Sequence, residues 1–240
     1  MKRFSKKTWL ILAACVVAAA LIAGLVLLFA VYIPQRQQHE EHKRQVQQYR
    51  QAKTEQYIRE NEAYGDYEVE VAFLGDSLTD LYDLATYYPQ YITANRGIGG
   101  DTTFDLEGRL QVSVYDLKPQ VAVLLIGANN MDSMMDNYED ILVGLQTNLP
   151  DTKVVVLSLT AMGGEHWGAK NQLASYNNVS IRLLAEKYGF TFVDLYTPLY
   201  DVSIGEVYEG YTVDGGHFTA KGYEVVTAQI TPVLRELLGK

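Results

Sequence analysis

The fold of this chain is decided by the stretch Val69-Glu70-Val71-Ala72-Phe73-Leu74-Gly75-Asp76-Ser77-Leu78. Apart from Glu70, its first six residues are apolar, which is typical of a strand buried on both faces. Gly75 permits a sharp turn from this strand into a helix, which places Ser77 where backbone N–H groups favour negative charge. Ser77 is therefore a candidate nucleophile. The alternative is that Asp76 or Ser77 only caps the helix.

Four more short apolar or β-branched runs follow along the chain. They cover Tyr91 to Asn95, Val121 to Ile126, Val154 to Leu159 and Phe190 to Val193, and helix-like segments lie at about 78–87, 102–113, 135–148, 169–188 and 220–238. Five strands that alternate with helices predict an α/β fold, a three-layer α/β/α sandwich around a central parallel five-stranded sheet. In such folds ligands bind beyond the carboxyl ends of the strands, so chemistry is expected in the loops that follow them.

Composition and charge exclude some classes of protein. With 240 residues, 48% of them apolar, the chain can build one core and an appendage. Residues 1–66 hold 10 Lys and Arg against 6 Asp and Glu, a net charge of +4, which leaves 10 against 23, or −13, for residues 67–240. An acidic domain repels polyanions, so we expect no nucleic-acid partner.

The N-terminus predicts a membrane anchor. A basic cluster precedes an uncharged apolar run from Thr8 to Ile33, and about 20 apolar residues suffice to cross a bilayer; the cluster is Lys2, Arg3, Lys6 and Lys7. A buried soluble helix is disfavoured because the run has no polar face. We therefore predict a transmembrane segment over residues 8–33, with residues 1–7 cytoplasmic and the rest of the chain extracytoplasmic.

Two processing alternatives stay open for this segment. Cys15 ends a stretch that resembles a lipoprotein cleavage motif, but only about five apolar residues precede it, fewer than a signal peptide needs. A cleavage near Ala30 would follow Leu28-Phe29, which is a poor site. An uncleaved anchor is the preferred interpretation.

A polar segment separates the anchor from the predicted domain. From Gln35 to about Tyr64 the chain is rich in Gln, Glu, Lys and Arg, which favours a helix. Gly65-Asp66 then breaks the pattern. We predict a solvated helical stalk over residues 34–66 and a catalytic domain over 67–240. A short coiled coil that forms a weak dimer is the alternative for the stalk.

Three later loops carry residues suited to ester chemistry. The second strand ends in the glycine-rich Asn95-Arg96-Gly97-Ile98-Gly99-Gly100-Asp101-Thr102, whose backbone N–H groups are accessible to a ligand. The third ends in Gly127-Ala128-Asn129-Asn130, where an Asn amide can donate to an oxyanion. Near the C-terminus, Asp214 precedes His217 by three residues and can hold the imidazole in the tautomer that accepts a proton. Each loop alone is as typical of an ordinary turn.

Together the four blocks resemble the SGNH/GDSL hydrolase family of GDSL-like lipases and acylhydrolases, from about Val69 to Leu238. The resemblance implies a flavodoxin-like fold and a serine esterase that needs no metal or cofactor. It also implies the site roles: Ser77 as nucleophile, His217 as base and Asp214 as its orienting acid, with oxyanion donors from Ser77, Gly100 and Asn129.

Further residues near these blocks are candidate substrate contacts, namely Asp76, Asn130, His166 and Trp167. Trp167 and His166 lie in the loop after the fourth strand, which is expected to overhang the site, although an ordinary ordered loop is the alternative.

The substrate is less well defined by the sequence than the reaction. An outward-facing esterase without a long apolar lid suggests a small ester or an acylated glycan, with removal of O-acetyl groups from carbohydrate as the preferred interpretation. A lysophospholipase or thioesterase, an O-acyltransferase that acts on a cell-surface glycan, and a binding module without activity are the alternatives. Acyl length and the alcohol portion stay open.

Overall fold

The computed structural model describes residues 5–240, in two compact units of which one ends at Ala52 and the other is Lys53–Lys240. The first contains α1, Lys6–Leu27, the π-helical turn Leu28–Tyr32 and the start of α2, Ile33–Asn61. Among the described residues one helix contains a stretch long and apolar enough to cross a membrane, and a signal sequence would pass the same test. Lys2 and Arg3 of the predicted basic tail lie outside the described residues.

A parallel five-stranded sheet forms the centre of the second unit and confirms the predicted fold class. Its strands lie in the order β2-β1-β3-β4-β5; they are β1 Val71–Gly75, β2 Thr93–Gly97, β3 Val121–Leu125, β4 Lys153–Leu157 and β5 Thr191–Val193. In this order the chain leaves β1 toward one edge of the sheet and returns through β3 toward the other. The carboxyl ends of β1 and β3 therefore flank the crevice in which flavodoxin-like folds bind ligands.

Helices and short turns connect these strands. In chain order they are α3 Ser77–Asp80, α4 Leu84–Tyr87, α5 Thr103–Glu107, the π-helical turn Gln111–Tyr115, the 3₁₀ turn Met134–Asp136, α6 Tyr138–Asn148, α7 Gly164–Trp167, the 3₁₀ turn Gly168–Lys170, α8 Asn171–Lys187, α9 Tyr196–Leu199 and α10 Ala220–Leu238. Two short antiparallel strands, β6 Tyr200–Asp201 and β7 Glu206–Val207, form a hairpin that the sequence did not predict.

Successive residues of each strand point to opposite faces of the sheet, so two apolar cores form. Phe73 packs on the face covered by Ile230 and Leu234 of α10. Leu74, the next residue, packs on the opposite face among Ile141 of α6 and Ile181 of α8. Helices on both faces complete the three layers, and the sheet is the rigid base that holds the loops at its carboxyl edge.

Two predicted helices are interrupted. The segment 78–87 divides into α3 and α4, because the Asp83 side chain caps a new helix by accepting a hydrogen bond from Thr86 N–H. The segment 102–113 begins with a capping box between Thr102 and Asp105, but its α-helix ends at Glu107, with Gly108, a poor helix former, as the C-cap.

The boundary between stalk and domain also differs from the prediction. The helix ends at Asn61, and its last turns, Lys53–Asn61, belong to the compact catalytic unit. Tyr57 is fully buried, whereas Gln56 and Ile58 on either side of it are exposed. The compact unit thus begins at Lys53, whereas the predicted catalytic domain begins at residue 67.

Candidate active site

The candidate site lies at the carboxyl ends of β1, β2 and β3, with Ser77 in the centre at the start of α3. The turn before it is tight: a β-carbon on Gly75 would lie 2.2 Å from the carbonyl oxygen of Leu125. Only glycine allows β1 and β3 to approach this closely at the point where the chain turns into α3. The Ser77 backbone N–H is the first of that helix and has no acceptor within it.

Ser77, His217 and Asp214 form one hydrogen-bonded chain, although 140 residues separate Ser77 from His217. Ser77 Oγ lies 2.9 Å from His217 Nε2. His217 Nδ1 lies 2.7 Å from Asp214 Oδ2, so the ring proton is held on Nδ1 and the lone pair of Nε2 faces the serine. This is the arrangement in which an imidazole can accept a hydroxyl proton as the oxygen attacks an acyl carbon.

The Asp214 carboxylate is held in its ionised form. Burial by itself raises its pKa, but hydrogen bonds from His217 N–H, the His217 ring and Gly216 N–H outweigh this effect and lower the pKa to about 2. The carboxylate therefore stays charged at neutral pH. A permanent negative charge beside Nδ1 stabilises the imidazolium that forms when the ring accepts a proton.

Two further loops carry hydrogen-bond donors, and the first of them lies close to Ser77, since a β-carbon on Gly99 would be 3.9 Å from the Ser77 β-carbon. Ile98 and Asp101 close a turn, with Asp101 N–H donating to the Ile98 carbonyl at 3.2 Å, and Gly100 has the left-handed φ of +80° that the third position of a type II turn requires. Asn129 is exposed, and its Nδ2 donates to the Asp101 carbonyl oxygen at 3.0 Å. This nitrogen carries a second hydrogen, and the bond to Asp101 fixes the direction in which it points.

Arg109 holds the loops together and was missed in the sequence. Its buried guanidinium donates to Asp101 Oδ2 at 2.7 Å, to the Arg96 carbonyl at 3.0 Å and to the Gly75 carbonyl at 3.0 Å. Gly75 ends β1, Arg96 lies in β2 and Asp101 lies in the loop after β2, so one side chain joins all three. The signal available in the sequence was that Arg109 is the single cation between Arg96 and Lys118.

Two of the predicted substrate contacts have other partners. The Asp76 side chain is only 1% exposed and caps α3 by accepting a hydrogen bond from Leu78 N–H at 3.0 Å. Asn130 accepts from Thr103 N–H at 3.2 Å and donates to Thr103 Oγ1 at 2.9 Å, which ties the loop after β3 to the start of α5. Asp76 thus holds the start of α3, and Asn130 holds the loop after β3; substrate contact by these two side chains stays a prediction.

Trp167 lies beside the catalytic histidine candidate. Its ring is 6.1 Å from that of His217, centroid to centroid, and nearly perpendicular to it. Trp167 also packs on Gly216, where a β-carbon would lie 2.7 Å from the indole. His166 is exposed, and its ring makes an edge-to-face contact with the Trp167 ring at 5.0 Å. The structure thus brings Trp167 to the site and leaves His166 at its outer margin.

The loop that carries Trp167 is fixed at its base by backbone contacts. Gly163 N–H donates to the Gly215 carbonyl at 2.8 Å, which joins this loop to the one that bears Asp214 and His217. Glu206, on the unpredicted hairpin, accepts from Gly164 N–H at 2.8 Å. Trp167 and His217 are therefore presented by two connected loops.

A serine hydroxyl hydrogen-bonded to an imidazole, which in turn contacts a carboxylate, is the arrangement typical of serine hydrolases that act on esters. The model of the GDSL-like lipase/acylhydrolase family matches residues 73–225, which is more than half of the chain. The chain belongs to this family and is a serine ester hydrolase. Among proteins with curated functions, none matches the sequence.

Solved structures with the same fold come from several bacteria. A Streptococcus pneumoniae protein, provisionally described as a platelet activating factor, is 22% identical with a TM-score of 0.75, over 83% of this chain and 99% of its own. A GDSL-like lipase from Bacteroides thetaiotaomicron is 24% identical with a TM-score of 0.67, over 76% and 97%. An acetyl xylan esterase from Geobacillus stearothermophilus is 16% identical with a TM-score of 0.58, over 70% and 95%.

The buried Asp76 predicts a pH-dependent stability. Burial raises its pKa from 3.8 to about 6, and the neighbouring Asp101 carboxylate adds to the rise. Between about pH 4 and 6 the folded protein therefore binds more protons at this position than the unfolded chain, so the contribution of Asp76 to stability falls as the pH rises. We expect Asp76→Asn to remove this fall and to raise the free energy of unfolding at pH 7, on the order of a few kcal/mol.

Urea denaturation of the two proteins between pH 4 and 7 measures the effect. Asn at this position can still accept the Leu78 hydrogen bond, so the cap is retained. Asp132→Asn, which changes an exposed carboxylate, is the matched control and should retain the wild-type pH dependence. Identical pH dependence in Asp76→Asn and the wild type would contradict the assignment.

Proposed function

We propose that Ser77 is the nucleophile of this esterase, with His217 as general base and Asp214 as the group that orients it. The observation that carries the proposal is the continuous chain of contacts at 2.9 and 2.7 Å from Ser77 Oγ through the imidazole to the carboxylate. As Oγ forms a bond to the ester carbonyl carbon, its proton moves to His217 Nε2. His217 then gives this proton to the departing alcohol when the carbon–oxygen bond breaks.

The acyl-enzyme is then hydrolysed by the same groups. His217 takes a proton from water, the hydroxide oxygen bonds to the acyl carbon, and Ser77 Oγ leaves with the proton from the imidazole. In both steps the carbonyl oxygen carries negative charge. We assign its stabilisation to the backbone N–H groups of Ser77 and Gly100 and to the Asn129 amide. The Asn129 amide also donates a hydrogen bond to the Asp101 carbonyl, which joins the loop after β3 to the loop after β2.

Short-chain esters on carbohydrate, in particular O-acetyl esters, are the proposed substrates. Acetyl xylan esterases are among the solved structures that share this fold. Trp167, beside His217, offers a flat aromatic surface of the kind that packs against a sugar ring. The excess of acidic residues in 67–240 disfavours polyanionic substrates.

Membrane anchoring through α1 is also part of the proposal. The large apolar side chains described between Trp9 and Tyr32 are exposed, as expected of a helix that is surrounded by lipid. Lys6 and Lys7 precede this segment, which supports a cytoplasmic N-terminus and an extracytoplasmic catalytic unit. In this arrangement the esterase acts on glycans outside the membrane that anchors it.

The catalytic assignment predicts the effects of two substitutions. Ser77→Ala should abolish ester hydrolysis and labelling by a fluorophosphonate, because both need the serine oxygen. Asn129→Ala should lower kcat about 10²- to 10³-fold, the usual effect of removing one oxyanion donor, with little change in stability. Steady-state kinetics on p-nitrophenyl acetate, with thermal denaturation of each variant, measures both.

Asn148→Ala is the matched control, since Asn148 is exposed at the end of α6 and far along the chain from the four loops of the site. It should retain wild-type turnover. Near-normal turnover by Asn129→Ala would refute the role of this amide, and labelled Ser77→Ala would refute the nucleophile.

Substrate profiling tests the proposed ester class. Acetylated xylo-oligosaccharides and acetylated monosaccharides should be hydrolysed with higher kcat/KM than lysophospholipids or long-chain acyl thioesters. Trp167→Ala should raise KM for the acetylated oligosaccharides and leave kcat/KM for p-nitrophenyl acetate within about twofold, because the latter has no sugar to stack. Turnover of the long-chain substrates alone would contradict the assignment to carbohydrate esters. Acetyl transfer to an added glycan in place of hydrolysis would instead favour an O-acyltransferase.

Cysteine labelling tests the proposed topology. Ser203→Cys, on the exposed hairpin, should react with a membrane-impermeant maleimide in intact cells. Lys7→Cys should react only after the cells are permeabilised, and its label should stay on a protein of full length. Loss of the Lys7→Cys label from the mature protein would show cleavage of the N-terminal segment and contradict the anchor.

A further inference from the structure

The last turns of α2 contact Gly97, which ends β2 directly before residues 98–101, although these turns precede the family match at residues 73–225. We call residues 98–101, which include Gly100, the oxyanion loop. We propose that Lys53–Asn61 is a positioning element for the oxyanion loop, so that Tyr57 and Lys53 set the rate of ester hydrolysis without touching the substrate. This inference rests on the proposed role of Gly100. It extends the catalytic machinery to a segment that the sequence pattern assigns to the stalk.

Tyr57 makes the first contact. Its side chain is fully buried, and its hydroxyl donates to the Gly97 carbonyl oxygen at 2.6 Å. The Arg96 guanidinium lies over its ring, 4.6 Å from the centroid. Gly97 ends β2 and precedes Gly100 by three residues. Tyr57 therefore fixes the point at which the oxyanion loop leaves the sheet.

Lys53 makes the second contact, through a bridging carboxylate. Its Nζ lies 2.8 Å from Asp80 Oδ1, and the other oxygen, Asp80 Oδ2, accepts from Gly99 N–H at 3.0 Å. The side chains of Lys53 and Asp80 are only 19% and 10% exposed, so water and salt screen their attraction weakly. Asp80 also ends α3, the helix that starts at Ser77. One carboxylate thus joins the nucleophile helix to the oxyanion turn, and Lys53 holds this carboxylate in place.

Arg96 makes the third contact and explains why the segment cannot simply be removed. The Arg96 side chain is fully buried, forms an ion pair with Glu60 and donates to Asn61 Oδ1 at 3.0 Å. Without these partners a buried guanidinium would lose its compensating charge, which is strongly destabilising. Point substitutions in the whole chain therefore test the proposal better than truncation.

The position of the Gly99–Gly100 turn depends on these contacts because glycines have no side chains with which to pack. Three hydrogen bonds hold the turn in position. Asp80 accepts from Gly99 N–H, Tyr57 donates to the Gly97 carbonyl, and Arg109 donates to the Arg96 carbonyl. An oxyanion donor stabilises the transition state only when its N–H points at the developing charge. A small displacement of the turn should thus lower kcat and leave ground-state binding almost unchanged.

The experiment compares point variants of the full chain in detergent micelles, with p-nitrophenyl acetate as substrate. We expect Tyr57→Phe to lower kcat roughly threefold to tenfold, the value of one hydrogen bond, and Lys53→Met to lower it about tenfold, with KM within about twofold in both. Lys53→Arg keeps the charge and should recover most of the lost kcat. Concentrations are set by active-site titration with a fluorophosphonate, so kcat refers to folded enzyme only.

Two matched controls lie on the exposed surface. Tyr64→Phe removes a hydroxyl from an exposed tyrosine, and Lys43→Met removes an exposed lysine from the same helix. Both should keep wild-type kcat.

Wild-type kcat in Tyr57→Phe and Lys53→Met would overturn the inference, as would a loss of activity that disappears once rates are divided by titrated active sites. Failure of Lys53→Arg to recover kcat would overturn the role of the Lys53–Asp80 ion pair. In either case inactive Ser77→Ala would leave the proposed function intact, whereas active Ser77→Ala would remove the proposed function itself.

Discussion

The carbonyl groups at the carboxyl end of a parallel sheet have to find hydrogen-bond donors, because the strands that would supply them have ended. In this protein the donors come from elements far along the chain. The Gly75 carbonyl accepts from Ile98 N–H at 3.1 Å and from Arg109, the Arg96 carbonyl accepts from Arg109, and the Gly97 carbonyl accepts from Tyr57. The same bonds that satisfy the backbone hold the turn after β2 close to the start of α3, where a β-carbon on Gly99 would lie 3.9 Å from that of Ser77. The site is therefore a consequence of how the end of the sheet is closed.

Much of this architecture could be predicted from local patterns, and the rest depends on contacts between distant residues. The apolar runs identified the five strands, and the four loops that follow them gave the candidate triad, because strand ends and loop chemistry are properties of short stretches. The burial of Tyr57 was not predictable in this way. Apart from Ile58, its neighbours in the sequence are polar, and the contacts that bury the ring come from Arg96 and Gly97 of β2. Asp83 and Gly108 are residue types that start and end helices. The helix-like segments predicted around them nevertheless ran on past both residues.

Asp76 and Asp214 show why residue type alone does not assign a role. Both are acids next to a candidate catalytic residue. Asp214 receives hydrogen bonds from His217 and Gly216, which keep it charged, whereas Asp76 is enclosed by the protein and close to another carboxylate, which raises its pKa to about 6. A charged acid beside Nδ1 can stabilise an imidazolium, whereas the Asp76 carboxyl accepts a hydrogen bond from Leu78 N–H and caps α3. Environment, which the sequence does not display, separates the proposed orienting acid from the acid that caps a helix.

The start of the functional unit follows from the same reasoning. A domain defined by motifs begins near β1, where the first recognisable block lies, and the family match begins at residue 73. The hydrogen bonds define a larger unit, since Arg96 in β2 is fully buried only because Glu60 and Asn61 precede β1 and cover it. Removal of these partners would leave a buried cation without compensating charge, which is strongly destabilising. Residues Lys53–Asn61 are for this reason part of the fold that positions the loop after β2.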